Sequence, residues 1–184
     1  VIYYVEIKDQ KIYDLALLDH LTRKIIEKLK EVIIFPVKHF ISLEPQREKA
    51  IEEIKKELKE RLDYFNKNKL YLEAERLERR TKYDIEMIKT LGYCHGIENY
   101  SRHLTGKLMG EPPDTLLSYF PTKDGRPDFL TIIDESHISI PQIRGMYEGD
   151  RSRKEVLVQY GWRLPSALDN RPLKFEEFLE RIDQ

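Results

Sequence analysis

The fold class depends most on the stretch FLTIIDESH, residues 129–137, in which an apolar run ends in two adjacent acids. The five residues 129–133 carry no charge, which is typical of a strand covered on both faces, as in a parallel sheet. A helical pattern follows over residues 151–160, with Asp150 in the cap position and Gly161 at the end. This stretch and its surroundings therefore predict an α/β fold.

Two helix patterns lie upstream of this stretch. Residues 43–67 form the clearer one, with Ser42 in the N-cap position and a break at residues 66–68. The second covers residues 69–90 and ends at Gly92. Each pattern places its apolar side chains on one face and the connection is short, so we expect an antiparallel pair. The two faces consist of Ile51, Ile54, Leu58, Leu62 and Phe65, and of Leu70, Ala74, Leu77, Thr81, Ile85 and Ile88.

The N-terminal part of the chain has β character. Residues 1–7 and 12–18 are rich in β-branched and aromatic side chains, and the short polar turn between them predicts a hairpin. A further strand is predicted at 31–35, whereas residues 23–29 fit either a helix or a strand. Residues 92–127 are rich in Gly, Pro and aromatic side chains, which predicts short helices and loops.

The composition excludes several classes of protein. Of the 184 residues, 32 are Lys or Arg and 33 are Asp or Glu, so the net charge of −1 excludes the bulk basic charge of a histone-like protein. The single cysteine excludes an intrachain disulfide and a four-cysteine zinc site, and it favours a reduced, cytoplasmic setting. No apolar run approaches the roughly 18–20 residues that a membrane span needs. Residues 1–5 lack an initiator Met and have the composition of a strand interior, so we expect a piece of a longer protein.

The two acids after the predicted strand are candidate catalytic residues, because α/β proteins bind ligands at the carboxyl ends of their strands. Asp134 is placed to hold Mg²⁺, and Glu135 to orient or deprotonate a water that attacks a γ-phosphate. His137 is placed to link such a site to a neighbouring segment. A surface turn capped by acids explains these residues equally well. The Gly-rich phosphate loop that should accompany the site is absent from the sequence, and residues 104–108 are its closest approach.

Tyr100, Arg102 and His103 are candidate DNA-binding residues. An aromatic side chain next to basic ones is typical of sites that stack on bases and contact phosphates. Local packing beside Glu98 is the alternative. Cys94 matches no nucleophile motif, and we interpret it as a buried structural cysteine.

Two further groups of basic residues have two interpretations each. Residues 76–82 include four basic side chains on the second helix, which either contact phosphates or form a solvated face paired with nearby glutamates. Arg151, Arg153 and Lys154 lie at the predicted start of a helix, where positive charge is unfavourable. Their position indicates a partner, either a phosphate or an acidic segment.

A series of stretches resembles the UvrB family, a component of the ABC excinuclease. Residues 134–143 resemble the second helicase motif of that family, and residues 73–81 resemble its EAQRLEQRT segment. Further similar stretches, in family order, are 83–87, 96–103, 145–147, 149–155 and 161–173. The resemblance covers residues 42–178 continuously and is weaker over residues 1–41, where His20 and Arg23 replace a Pro and a Gly of a family turn.

The resemblance implies three parts within this α/β chain. Residues 1–44 would be the C-terminal part of the UvrA-interaction domain, the β-rich tail of an inserted domain. Residues 45–117 would be a helical subdomain near DNA. Residues 118–184 would be part of the first RecA-like P-loop NTPase domain, with the DExH motif at its strand end.

The resemblance also implies an activity. Asp134 would lie at the Mg²⁺ position, Glu135 at the hydrolytic-water position, and His137 at the position of a coupling histidine. The cofactors would be ATP and Mg²⁺, and the partners UvrA, UvrC and damaged DNA. The parent protein would be a cytoplasmic, DNA-binding, helicase-like ATPase of nucleotide excision repair and the SOS response. The 184-residue chain alone is expected to hydrolyse no ATP.

Two alternatives accompany this hypothesis. The first is a UvrA-recruiting module of a transcription-repair coupling factor-like protein without ATPase activity, although the intact residues 134–137 argue against that. The second is a product that folds poorly, with sheet edges and apolar surface exposed in residues 118–184.

Overall fold

The computed structural model describes residues 2–33 and 44–182, and the chain divides into two units, residues 1–38 and 39–184. The N-terminal unit contains an antiparallel sheet with the strand order β1-β2-β3. Its strands are β1 (Ile2–Lys8), β2 (Lys11–Leu18) and β3 (Ile25–Lys28).

The predicted hairpin is confirmed. β1 pairs antiparallel with β2, and the two residues between them, Asp9 and Gln10, have φ values of 50° and 61°. Positive φ at both central positions is the geometry of the tight turn whose twist matches that of paired strands. β3 shows that residues 23–29 include a strand. The strand predicted at 31–35 is wrong for residues 31–33, which have no regular structure, and its other two residues lie outside the described residues.

The predicted helix pair is also confirmed. α1 spans Glu44–Lys67 and α2 spans Tyr71–Leu91, and the amide of Gly92, in the left-handed conformation, donates to the carbonyl of Ile88. The predicted N-cap Ser42 lies outside the described residues. Apolar side chains of both helices form the core of the second unit, residues 39–184, which we call the helical unit. Each helix buries one face against the other. The core includes Ile51, Ile54, Leu58 and Phe65 from α1 and Ala74, Leu77, Ile85 and Ile88 from α2.

Short elements follow the helix pair, as predicted. A 3₁₀ turn at Ile97–Tyr100 leads into α3 (Ser101–Thr105), and a second 3₁₀ turn lies at Leu116–Tyr119. β4 (Thr122–Lys123) and β5 (Arg126–Pro127) form a small antiparallel hairpin. Ile97, Tyr100 and Leu104 join the helical core, so these residues pack against the α1–α2 pair.

The strand predicted at 129–133 is wrong. These residues have no regular structure, and the side chains of Leu130 and Ile132 are 70% and 84% exposed. A strand is held by hydrogen bonds to neighbouring strands. In residues 2–33 and 44–182 the only sheets are β1-β2-β3 and β4-β5, and neither includes this run. The chain is therefore α/β only in the coarse sense of helices combined with small antiparallel sheets, and no parallel RecA-like sheet is formed by the residues described.

The helix predicted at 151–160 is longer than expected. α4 spans Ser136–Gln159, so Asp150 lies inside the helix and does not cap it. The early start was missed because Pro141 and two glycines within the helix lower its intrinsic helix propensity. Pro141 lies in the second turn, where its missing N–H costs one helical hydrogen bond. No helix among the described residues is both long and apolar enough to cross a membrane.

The chain returns to the helix pair after α4. Gly161 has φ +69° and packs against the backbone of Glu73 in α2. A 3₁₀ segment, Pro165–Asp169, follows, and a short helix, α5 (Phe175–Leu179), comes after it. Gly161, just after the end of α4, is thus in direct contact with the first turn of α2.

Replacing Gly161 with Ala should lower the free energy of unfolding by about 3 kcal/mol, because the new side chain would clash and the left-handed backbone would be strained. A Cβ at this position would lie 2.3 Å from the carbonyl oxygen of Glu73. Gly106 is the matched control, since its φ is +71° and a Cβ there would meet nothing within 4 Å. The free energy of unfolding of both variants would be measured by urea titration, in which Gly106→Ala should lower it by only about 1 kcal/mol. Equal losses in the two variants would contradict the close contact at Gly161.

Candidate functional site

The predicted catalytic residues lie at the exposed start of α4. Glu135 has a left-handed backbone (φ 47°) immediately before the helix. Its amide donates to Oδ1 of Asp134 at 2.9 Å, and Nδ1 of His137 lies 3.5 Å from Oε2 of Glu135. The structure therefore brings Glu135 and His137 together, with Asp134 beside them, at a helix N-terminus open to solvent.

The donor chemistry of this segment fits a sparse Mg²⁺ site. Among the described residues, no group of three or more His, Cys, Asp or Glu side chains gathers in a way that could hold a metal ion. Magnesium commonly binds one or two carboxylates and takes its other ligands from water and substrate phosphates. The carboxylate of Asp134 is suited to such a site, and its role as a metal ligand stays a prediction.

Tyr100 is buried, and its hydroxyl donates to Oδ2 of Asp84 at 2.8 Å. The same oxygen accepts from Nε of Arg80 at 2.9 Å, and Arg80 also donates to the carbonyl of His95. Burial, together with the Asp84 carboxylate, raises the pKa of Tyr100 above its ordinary value. Tyr100 thus belongs to a hydrogen-bonded cluster that joins α2 to the segment after it.

Arg102 and His103 point back toward α1. Arg102 pairs with Asp169 at 2.7 Å and lies 3.4 Å from Glu57. His103 lies between two α1 carboxylates, with Nε2 2.7 Å from Glu57 and Nδ1 3.3 Å from Glu53. DNA contact by Tyr100, Arg102 and His103 stays a prediction, and it would require these side chains to leave their partners within the chain.

Glu57 holds three elements together and was not identified from the sequence. Its carboxylate accepts from the amide of Ser166 at 2.7 Å as well as from His103. Burial alone would raise the pKa of Glu57, but the hydrogen bonds from His103 and Ser166, together with nearby positive charge such as that of Arg102, outweigh it and the pKa is lowered. One signal was present in the sequence, because Glu57 follows Ile54 by three residues and so lies beside the apolar face of α1.

The segment after α4 is fixed by several polar contacts. Asp169 accepts from the amide of Gly110 at 2.9 Å, and Arg171 donates to the carbonyl of the same residue at 3.2 Å. Arg171 also forms a two-point ion pair with Glu177 at 2.7 and 2.8 Å. The hydrogen bonds from Arg171 lower the pKa of Glu177 to about 2.

The basic residues near 151–154 lie in the middle of α4, so their predicted position at a helix start is wrong. Lys154 is buried and lies 2.8 Å from Asp150, and it also donates to the carbonyl of Asn170. Arg153 pairs with Asp150 at 3.0 Å, and Arg151 with Glu155 at 2.8 Å. Because α4 begins at residue 136, these charges do not oppose the positive end of its dipole.

The basic run on α2 is divided between two roles. Lys82 pairs with Glu78 at 2.7 Å on the exposed face, as the solvated-face interpretation predicts. Arg76 instead donates to the carbonyl of Tyr160 at 2.6 Å and stacks over the Trp162 ring at 4.3 Å. Arg76 therefore joins α2 to the residues that follow α4.

Comparison with known proteins shows what the chain is similar to. A family profile described as the UvrB third helical domain matches residues 45–106, which include most of α1 and all of α2 and α3. The chain is 63% identical to the UvrABC system protein B of Carboxydothermus hydrogenoformans over 90% of the chain and 24% of that protein. It is 58% identical to the same-named protein of Methanosphaera stadtmanae over 91% of the chain and 25% of the relative. For the Thermodesulfovibrio yellowstonii protein the identity is 52%, over 98% of the chain and 27% of the relative.

The chain is similar to a segment of UvrB-family proteins over almost all of its own length. It spans about a quarter of the length of the curated relatives it matches. The resemblance noted in the sequence is thereby confirmed. The predicted boundaries at 1–44, 45–117 and 118–184 stay predictions, although the UvrB helical-domain match begins at residue 45.

The buried side chain of Cys94 should be unreactive in the folded chain. Burial raises the pKa of Cys94 to about 12, so almost no thiolate is present at neutral pH. We expect a maleimide or disulfide reagent to label the native chain very slowly and the urea-unfolded chain completely. The chain has a single cysteine, so the signal reports this site alone. Rapid labelling of the native chain would contradict the burial of Cys94.

The Arg171–Glu177 pair should make stability depend on acidic pH. The lowered pKa of Glu177 means that its ionised form stabilises the fold above about pH 4.5 and that this stabilisation is lost as the pH falls toward 2. Glu177→Gln should cost about 1 kcal/mol at neutral pH, after allowance for solvent screening. Urea titrations from pH 7 to pH 3 should show the difference from the unmodified chain shrinking. Glu176→Gln, which removes an exposed carboxylate from the same helix, is the matched control.

Proposed function

We propose that this chain acts within a UvrB-type protein in nucleotide excision repair. The observation that supports this most directly is the 63% identity to a UvrABC system protein B over 90% of the chain. An alignment of that extent necessarily includes residues 134–137, the segment with the candidate catalytic side chains. The relatives described above all have the name UvrABC system protein B, which favours this function over that of a transcription-repair coupling factor-like module.

The acidic segment before α4 has the side chains that an ATPase requires. Asp134 would hold the Mg²⁺ of bound ATP, which would neutralise charge on the phosphates. Glu135 is exposed and able to orient a water or accept its proton. His137, 3.5 Å from Glu135, is positioned to respond to the charge of that carboxylate. These roles match those that the UvrB resemblance implies.

The partners follow from the same proposal. The name UvrABC points to UvrA and UvrC as partners and, with the repair function, to damaged DNA as substrate in the cytoplasm. Residues 1–44 would contribute to UvrA binding, and Tyr100, Arg102 and His103 would lie near DNA. Residues 118–184 would complete a RecA-like domain with further strands. The exposed side chains of Leu130, Ile132 and Ile138 support this last point, because further protein packed against residues 118–184 would remove this apolar surface from water.

A chimera tests the proposal. Residues 1–184 would replace the matching segment of the Carboxydothermus hydrogenoformans protein, and incision of a damaged duplex would be measured with UvrA, UvrC and ATP. We expect the chimera to incise, and Asp134→Ala to lower its ATP turnover more than about 100-fold through the loss of a charged ligand. Asp128→Ala, at an acid six residues earlier, is the matched control and should keep full turnover.

Two results would count against the proposal. One is a chimera with native circular dichroism that neither turns over ATP nor incises. The other is ATP turnover by the isolated 184-residue chain that disappears in Asp134→Ala, because the sequence contains no phosphate-binding loop.

A further inference from the structure

The peptide unit between Asp134 and Glu135 is held at both of its polar groups. The hydroxyl of Ser139, in the first turn of α4, donates to the carbonyl oxygen of Asp134 at 3.0 Å. The amide of Glu135 donates to Oδ1 of Asp134 at 2.9 Å. Because this carbonyl and this amide belong to one planar unit, the two hydrogen bonds together fix its orientation.

The backbone of Glu135 has an uncommon conformation. Its φ of 47° and ψ of 45° lie in the left-handed region, which is unfavourable for a residue with a side chain and persists only where surrounding contacts hold it. The carbonyl of Glu135 accepts from the amides of Ile138 and Ser139 at 2.8 and 2.9 Å. Ser139 therefore bonds the chain on both sides of this residue, through its amide to the carbonyl of Glu135 and through its hydroxyl to the preceding carbonyl.

The direction of the two candidate catalytic carboxylates depends on this peptide unit. The Cα atoms of Asp134 and Glu135 stand at its two ends, so a rotation of its plane redirects both side chains. Both residues are exposed, and packing around them does not restrict the plane. Its orientation therefore depends on the two hydrogen bonds, and the one from Ser139 is the one that ties it to α4.

We propose that Ser139 is a positioning residue for Asp134 and Glu135. Its hydroxyl holds the peptide unit between them and thereby keeps both carboxylates in one arrangement. Ser139 acts through the backbone, since its hydroxyl is directed at a carbonyl oxygen of the chain. This inference rests on the proposed function, because the arrangement of the two carboxylates matters for a reaction only if they act on bound ATP.

Helix propensity separates this role from a general contribution to α4. Alanine has a higher helix propensity than serine, so Ser139→Ala should leave α4 intact or slightly more stable if the side chain serves only the helix. Loss of the hydrogen bond to Asp134 should instead release the peptide unit that precedes the helix. The two roles therefore predict different outcomes for the same substitution.

Backbone dynamics of the 184-residue chain test the inference without ATP. In the unmodified chain we expect the ¹⁵N order parameter of Glu135 to be about 0.85, the value of a rigid backbone. Ser139→Ala should lower it to about 0.6 or less, while the helical circular dichroism stays unchanged. Ser139→Thr, which keeps the hydroxyl, should restore the rigid value. A value of about 0.85 in Ser139→Ala, or of about 0.6 in the unmodified chain, would overturn the inference.

Ser152→Ala is the matched control in both experiments. Ser152 also lies on α4, and its hydroxyl also donates to a backbone carbonyl, that of Gly149 at 3.2 Å. The substitution therefore removes the same kind of hydrogen bond at a distance from the acidic segment. It should leave the order parameter of Glu135 unchanged, and an equal fall in the two variants would contradict a specific role of Ser139.

ATP turnover by the chimera described above supplies a second readout. Ser139→Ala should lower kcat about 10-fold and change KM for ATP less than about twofold, because a displaced catalytic group is felt mainly in the transition state. Ser139→Thr should recover most of kcat, and Ser152→Ala should leave both constants unchanged. Equal kcat in the unmodified chimera and in Ser139→Ala would overturn the role of Ser139 and leave the proposed function standing. A folded chimera without any turnover would count against the proposed function, and the order parameters would still decide whether Ser139 holds the peptide unit.

Discussion

The largely buried carboxylate of Glu57 connects the parts of the helical unit that are most distant in sequence. It accepts hydrogen bonds from His103 and from the amide of Ser166, which lie 46 and 109 residues after Glu57 in the sequence. Without these donors only Arg102, at 3.4 Å, would compensate the charge of this carboxylate, and removing the partners of a buried charge costs several kcal/mol. α3 and the 3₁₀ segment are therefore held where their donors meet this side chain, and Arg102 and Asp169 extend the same network toward Gly110.

Local patterns predicted the elements that local contacts stabilise. The β1–β2 hairpin follows from two β-rich runs and a polar turn, and the α1–α2 pair follows from helical spacing and a short connection. The start of α4 was predicted 15 residues too late, because Pro141 lowers the helix propensity of the first turns. In the structure the helix is nevertheless continuous from Ser136 to Gln159. The run 129–133 has the composition of a buried strand, but a strand also needs neighbours to pair with. That requirement cannot be read from five residues.

The types of side chain in the candidate site could be predicted from the sequence, but their hydrogen-bond and ion-pair partners could not. The side chains of Asp134, Glu135 and His137 are recognisable as a motif, and the structure places them together at an exposed helix start. The network around Glu57 gave no such signal, because its donors come from distant segments and have no fixed spacing. Tyr100, Arg102 and His103 look like a DNA-binding cluster in sequence, whereas each has acidic partners within the fold. Spacing identifies residue types, and the tertiary structure decides which partners they have.

α4 combines a fixed end with a free one. Near its C-terminus, Lys154 bonds Asn170, Arg61 donates to the carbonyl of Val158, and Gly161 rests on the backbone of α2. Its first residues adjoin the acidic motif and are exposed. A helix of 24 residues is about 36 Å long, so a tilt of only about 5° at the fixed end displaces the other end by about 3 Å. A tilt of this size would therefore move the acidic side chains by about the length of a hydrogen bond.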